Sequence, residues 1–172
     1  MNYKEIKKYD ITNSCTGIVT SIFFCGCNFH CPDCFNKEIW DFNCGKKFDD
    51  ETKSLLFSYL DDEHVKGLSV LGGEPLMQGE ELYELLKEVK EKHSDKTIYL
   101  WTGYYLNEIK DETQKSILLM CDYVIDGRFE KDKKDLHLLL RGSSNQTVWK
   151  RENDGNFVKS EFNCKICNIY II

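Results

Sequence analysis

Proline is nearly absent from this sequence, with two in 172 residues: Pro32 between two cysteines and Pro75 after a glycine pair. No Pro-rich or Gly/Ser-rich linker divides the chain, so one domain over residues 1–172 is the simplest expectation, long enough to bury its own core. Arginine is scarce as well, with only Arg128, Arg141 and Arg151 among 23 basic residues. Together with a formal net charge of −6, that scarcity argues against duplex nucleic acid as a partner. Long apolar runs are missing too. The best, Ile18 to Phe24, is broken by Thr20 and Ser21 and falls well short of the roughly 20 residues that cross a bilayer, so no membrane span is expected. The opening MNYKEIKKYD has neither the apolar core nor the small-residue cleavage site of a secretory signal, so the cytoplasm is the expected location.

What is present is an ordinary globular composition, 41% hydrophobic and 30% charged, with an unusual nine cysteines. In a reducing compartment such a number points to metal or redox chemistry rather than to a disulfide framework. Ile18 to Phe24 reads as a first strand that runs into a cysteine cluster, after which Asn36 to Phe42 could open a helix. Asp50 can cap a helix through Leu60. Gly67 to Leu71 reads as a strand ending in Gly-Gly-Glu-Pro, and Gly79 to Lys92 carries Leu82, Leu85, Leu86 and Val89 at amphipathic helical spacing. Thr97 to Trp101 is a further strand with Tyr105 to Leu119 as its helix, and Tyr123 to Ile125 a last short strand that stops at Asp126-Gly127. This rhythm predicts an α/β fold with a mostly parallel sheet, about five or six strands forming an open, incomplete TIM-like (β/α) barrel. Function in such folds gathers at the C-terminal strand ends, where the cysteine cluster, Gly72 to Pro75, Thr102 to Tyr104 and Asp126 to Phe129 all fall.

The cluster reads Cys25-Gly-Cys27-Asn-Phe-His-Cys31-Pro-Asp-Cys34-Phe-Asn36. Three thiolates spaced CxxxCxxC on one loop can converge on one inorganic centre, an iron-sulfur cluster or zinc. Three ligands on a four-iron cluster leave one iron open to an outside molecule. His30 could join them or simply be solvated, while Cys25 does not fit the spacing and is left out. Gly72 and Gly73 lack a Cβ, so backbone can come close to a ligand, and Glu74 adds a charge suited to an ammonium group, although the tetrapeptide also suits a tight βα turn. Thr102 could reach a ribose or carboxylate or cap a helix, and Asp126 could bind a hydroxyl or a cation or form a turn. Arg128 and Arg141 carry forks suited to a carboxylate on a cofactor or a partner. For Arg141 to Gln146 no role can be named beyond a loop near the site or an interface.

These motifs resemble those of the radical S-adenosylmethionine superfamily. Cys34 to Asn43, Leu71 to Leu76, Trp101 to Tyr104, Val124 to Phe129 and Arg141-Gly-Ser-Ser-Asn-Gln146 are similar to the activating proteins of anaerobic ribonucleoside-triphosphate reductases, over about residues 13–148. The resemblance implies a 4Fe-4S cluster on Cys27, Cys31 and Cys34, with S-adenosylmethionine chelating the fourth iron. A reduced flavodoxin or ferredoxin would supply an electron, cleaving the sulfonium to methionine and a 5′-deoxyadenosyl radical, which takes a hydrogen from a glycine of the reductase. It places Asp33, Cys34, Phe35, Gly72, Gly73, Glu74, Thr102 and Asp126 around the cofactor. Asp33 stands where many relatives carry an aromatic residue. Ser14-Cys15-Thr-Gly17-Ile-Val19 departs from the Asn-Gly-x-Gly-x-Arg pattern usual before the first strand, so that arginine's contact is missing.

Residues 151–172 match nothing in the resemblance, and their Cys164 and Cys167 suit metal binding, disulfide exchange or an interface. Cys15, Cys44 and Cys121 read as small packing residues, and His64, His93 and His137 as solvent-exposed. The competing readings are an activase for another glycyl-radical enzyme, a small-molecule radical enzyme such as the one making carboxy-deazaguanine, and an iron-sulfur electron carrier or zinc module without turnover.

Overall fold

The computed structural model describes residues 1–160. It holds one eight-stranded sheet in the order β3-β1-β2-β4-β5-β6-β7-β8, with three α-helices. The strands are β1 (Asn2–Asp10), β2 (Val19–Phe24), β3 (Lys46–Lys47), β4 (Gly67–Gly72), β5 (Thr97–Trp101), β6 (Tyr123–Asp126), β7 (Thr147–Arg151) and β8 (Phe157–Lys159). The helices are α1 (Asp50–Leu60), α2 (Glu80–Lys92) and α3 (Glu112–Met120).

Only β2, β4, β5 and β6 run parallel to their neighbours; β1, β3, β7 and β8 flank them antiparallel. The sheet does not close. The expected run of five or six mostly parallel strands therefore shrinks to a four-stranded parallel centre. Its flanks escaped the periodicity argument because β1 is rich in charged residues and β8 is only three residues long.

Alternation along the parallel strands sends Ile22, Phe24, Leu68, Val70, Ile98, Leu100 and Val124 to one face, where they meet Leu56 and Leu60 of α1, Leu82, Leu85, Leu86 and Val89 of α2, and Ile117 and Leu118 of α3. Burying each such side chain contributes about 1.5–3 kcal/mol. Asp49, not Asp50, caps α1 by accepting from the Thr52 amide at 2.9 Å, and Asp111 caps α3 through Gln114 at 2.9 Å. That second cap explains why the expected helix from Tyr105 starts late: only a single 3₁₀ turn, Leu106–Glu108, precedes it. The expected helix after the cysteines is likewise one 3₁₀ turn, Lys37–Ile39.

The opposite face carries a row in register, Ser21 beside Ser69, Ser69 beside Tyr99 and Tyr99 beside Tyr123, the two tyrosine rings stacked at 4.9 Å. The divergent segment at residues 13–17 covers it. The Asn13 carbonyl accepts from Ser69 Oγ at 2.5 Å, and Tyr99 donates to Thr16 Oγ1 at 2.8 Å. Cys121 is fully buried, as expected, but His93 is not exposed: it closes α2, 8% accessible, with its ring 5.6 Å from that of Phe57. Among the described residues no helix is long and apolar enough to cross a membrane.

Candidate functional site

The parallel strands all deliver their C-terminal ends to one edge. Leaving β2 at Phe24, the chain makes a loop whose return leg is tied to its outgoing leg: Gly26 N–H donates to the Ile39 carbonyl at 2.8 Å and Cys27 N–H to that of Trp40 at 2.9 Å. Between these ties His30 and Asp33 adopt positive φ, 48° and 55°. Left-handed backbone at non-glycine residues costs on the order of 1 kcal/mol each and folds the loop back on itself.

The result is that Cys27, Cys31 and Cys34 line a single cavity of about 110 Å³. Burial pushes the Cys27 and Cys31 thiols up, against backbone N–H groups that favour the thiolate, from Phe29 and His30 at Cys27 and from Phe129 at Cys31. Loading a metal centre must therefore displace protons. The donor set is three soft sulfurs, with no other Cys or His among the described residues that line the cavity, which fits an iron-sulfur cluster with one iron left to an outside ligand. Among the described residues no three Cys, His, Asp or Glu side chains close on a point that would hold a single ion.

Opposite the cysteines lies the end of β4. A Cβ on Gly72, at φ 143°, would come 2.1 Å from the Phe24 carbonyl oxygen, and one on Gly73 would come 2.3 Å from that of Gly26. These glycines are thus required first by the close approach of the cysteine loop. Asn36 Nδ2 donates to the Gly72 carbonyl at 3.2 Å.

Glu74 is fully buried and serves the protein's own backbone. Its Oε1 accepts from Leu76 N–H at 3.0 Å and Thr102 Oγ1 at 2.9 Å, and its Oε2 from Gly103 N–H at 2.6 Å. Burial holds its carboxyl up to about 7 despite those three donors. Thr102 passes the chain of bonds on by accepting from Tyr104 N–H at 3.1 Å. One carboxyl and one hydroxyl therefore lock the β4 and β5 ends together, where the sequence suggested direct ligand contacts.

The β6 end is fixed from two sides. Asp126 is 3% accessible, and its Oδ2 accepts from Leu106 N–H at 2.9 Å. Arg128 spends its fork on Glu108, with both contacts at 3.2 Å, while its guanidinium lies 4.6 Å from the centre of the Phe29 ring.

The loop at residues 141–146 now has a definite role. Gln146 Oε1 accepts from Gly142 and Ser143 N–H at 2.8 and 3.1 Å, and its Nε2 donates to the Gly127 carbonyl at 2.9 Å. Asn145 Nδ2 donates to the Arg128 carbonyl at 2.8 Å. The motif is a buttress that pins residues 127–129 against the cavity.

Of the residues expected around a cofactor, the cavity gathers Cys34, Gly72, Gly73, Glu74 and Thr102 with Cys27 and Cys31. Phe35 lines an adjoining hollow of about 310 Å³, its ring 5.2 Å from Phe129 and half exposed. Asp33 and Asp126 line neither. Asp33 points outward into ion pairs with Lys37 at 3.1 Å and Lys131 at 2.6 Å, which hold its carboxyl below the usual range. Phe29, Trp40, Trp101, Phe129 and Gln146 also line the cavity; the sequence offered them only as members of motif segments, with no role of its own for any of the five. Most lie within a few residues of an expected position, so the strand-end argument was the signal that could have found them.

Cys44 departs from expectation. It is bonded to Cys25 in a disulfide with Cα atoms 5.8 Å apart, rather than acting as an isolated packing residue. Cys164 and Cys167 lie outside the described residues.

The 4Fe-4S single cluster domain family matches residues 14–149. The anaerobic ribonucleoside-triphosphate reductase-activating protein of Pasteurella multocida is 39% identical over 155 residues, covering 87% of this chain and 98% of that protein. The proteins of the same name from Escherichia coli K12 and Enterobacteria phage T4 are 34% and 36% identical, covering 86% and 87% of this chain and 97% and 94% of theirs.

Proposed function

The chain belongs to the family of anaerobic ribonucleoside-triphosphate reductase-activating proteins, and from that membership we propose that it activates such a reductase by installing a glycyl radical on it. The observation that carries the reading is the cavity itself, where three unpaired thiols on one loop face the glycine pair of β4 at the C-terminal edge of the parallel strands. Cys27, Cys31 and Cys34 would hold a 4Fe-4S cluster. When bound, that cluster supplies the electron that cleaves S-adenosylmethionine to methionine and a 5′-deoxyadenosyl radical.

The chain's own residues bind, position and exclude water. Gly72 and Gly73 present backbone to the methionyl end, while Glu74 and Thr102 fix the loops that flank it. Arg128 and Phe29 form a cationic and aromatic wall suited to the nucleoside end. Phe35 and Phe129 border the hollow leading outward, through which the partner's glycine would enter. Asp33, on the rim, and Asp126, beneath it, act through neighbouring residues. A reduced flavodoxin or ferredoxin serves as electron donor in this reading, and the four-stranded parallel centre with helices on one face is read as part of an incomplete barrel wall.

The test is direct. The reduced, cluster-loaded protein is mixed anaerobically with S-adenosylmethionine and an anaerobic ribonucleoside-triphosphate reductase, and electron spin resonance should show a glycyl radical doublet. Cofactor cleavage without a doublet would transfer the assignment to another radical enzyme of the superfamily.

A further inference from the structure

Cys25 and Cys44 bracket the cysteine loop. Cys25 follows β2 and Cys44 precedes β3, 19 positions later, and the segment between them includes all three proposed cluster ligands. Neither end depends on the bridge for its place. Cys25 N–H donates to the Asn2 carbonyl at 2.9 Å, and its own carbonyl accepts from Gln78 Nε2 at 2.8 Å. On the other side β3 pairs with β1 at Asn2 and Tyr3, the latter also lying opposite Phe24. The strand β1 thus holds both cysteines at bonding distance, so the bridge can open and close without moving backbone.

The two sulfurs differ in access: Cys25 is 1% accessible, and Cys44 is partly exposed. We infer that Cys25 and Cys44 form a reversible thiol–disulfide exchange site that closes the base of the cluster loop. It is entered at Cys44 and completed by Cys25. The exchange balances with a low-molecular-weight disulfide as oxidant. The Cys44 thiolate attacks one sulfur and releases the first thiol. Cys25 then attacks the mixed disulfide on Cys44 and releases the second, so two protein thiols are oxidised and one disulfide is reduced to two thiols.

Closure removes Cys25 from competition with Cys27, only two residues away, for iron or for a wrong disulfide. The site rests on the cluster reading for its purpose, but not for its chemistry.

The experiment equilibrates the full-length, metal-free chain with glutathione and glutathione disulfide at graded ratios, traps thiols with iodoacetamide and maps the peptides by mass spectrometry. The expected result is one bridge, Cys25–Cys44, with the loss of two alkylation sites, while Cys27, Cys31 and Cys34 remain alkylated and dithiothreitol restores both sites. Cys25→Ser should accumulate glutathione on Cys44, whereas Cys44→Ser should leave Cys25 unmodified. Bridging of either residue to Cys27, Cys31, Cys34, Cys164 or Cys167, or alkylation of both at every ratio, would overturn the inference.

After exposure to air, the Cys25→Ser/Cys44→Ser chain should refill with iron and sulfide several-fold more slowly than the unaltered chain; equal rates would overturn the protective role. Failure of the cluster reading is distinguishable. It would show as no cleavage of S-adenosylmethionine by the loaded, reduced chain, with the thiol map unchanged.

Discussion

The cysteine loop and the wall of strand ends opposite it face the same cavity, but they are held in different ways. The wall is cross-linked by its own side chains: buried Glu74 joins the β4 and β5 ends, and half-buried Gln146 and Asn145 join the 141–146 loop to the β6 end. The loop between Cys27 and Cys34 has few such bonds and two left-handed residues, and burial raises the Cys27 and Cys31 thiols. A site divided in this way has a preformed half that can receive an organic molecule and an adaptable half that takes its final shape from the inorganic centre it binds. The contrast also separates residues that hold the centre from residues that hold the holders.

The largest expected effect comes from breaking the adaptable half. Cys31→Ala should reduce bound iron to background and abolish cofactor cleavage, while the far-ultraviolet circular dichroism of the chain stays that of the unaltered protein, because no packing of the sheet depends on that thiol.

Breaking the preformed half should instead cost stability. Glu74→Ala leaves two buried N–H groups and a hydroxyl without their acceptor, a loss of about 3 kcal/mol readable as a lower denaturant midpoint in the metal-free chain.

The pH dependence sharpens the same point. Burial raises the Glu74 carboxyl from 4.5 to about 7, so between those values the native chain binds more protons than the unfolded one. Its contribution is fully present below pH 4.5 and is lost as pH rises through 7. The stability difference between the native sequence and Glu74→Gln should therefore change across that window and be flat above it.

The smallest effect belongs to the buttress. Gln146→Ala should cost about 1–2 kcal/mol and raise KM for S-adenosylmethionine more than it lowers kcat, because it frees the Gly127 carbonyl without touching the thiols.

The preformed half was largely legible in the sequence, and its chemistry less so. Strand ends could be placed because Gly67 to Leu71 and Thr97 to Trp101 are apolar runs stopped by glycine-bearing turns, and the structure ends β4 and β5 within a residue of those limits. What Glu74 does there could not be read. Its type announces a charge available to a ligand, whereas burial converts it into an acceptor for three internal donors. Gln146 was equally silent, since its value lies in reaching Gly127, 19 residues earlier. The strand β1 was missed because Lys4, Glu5 and Lys7 mask its alternation, and the Cys25–Cys44 pairing was missed with it, since β1 brings those residues together.

On the function proposed above, three thiols hold a cluster whose remaining iron is open to S-adenosylmethionine. The most direct test is the electron spin resonance spectrum of the anaerobically reduced, iron-loaded chain, recorded with and without S-adenosylmethionine bearing ¹⁷O in its carboxylate. The cofactor should change the spectrum, and the labelled oxygen should couple to the cluster. A spectrum indifferent to the cofactor, with no coupling, would contradict it.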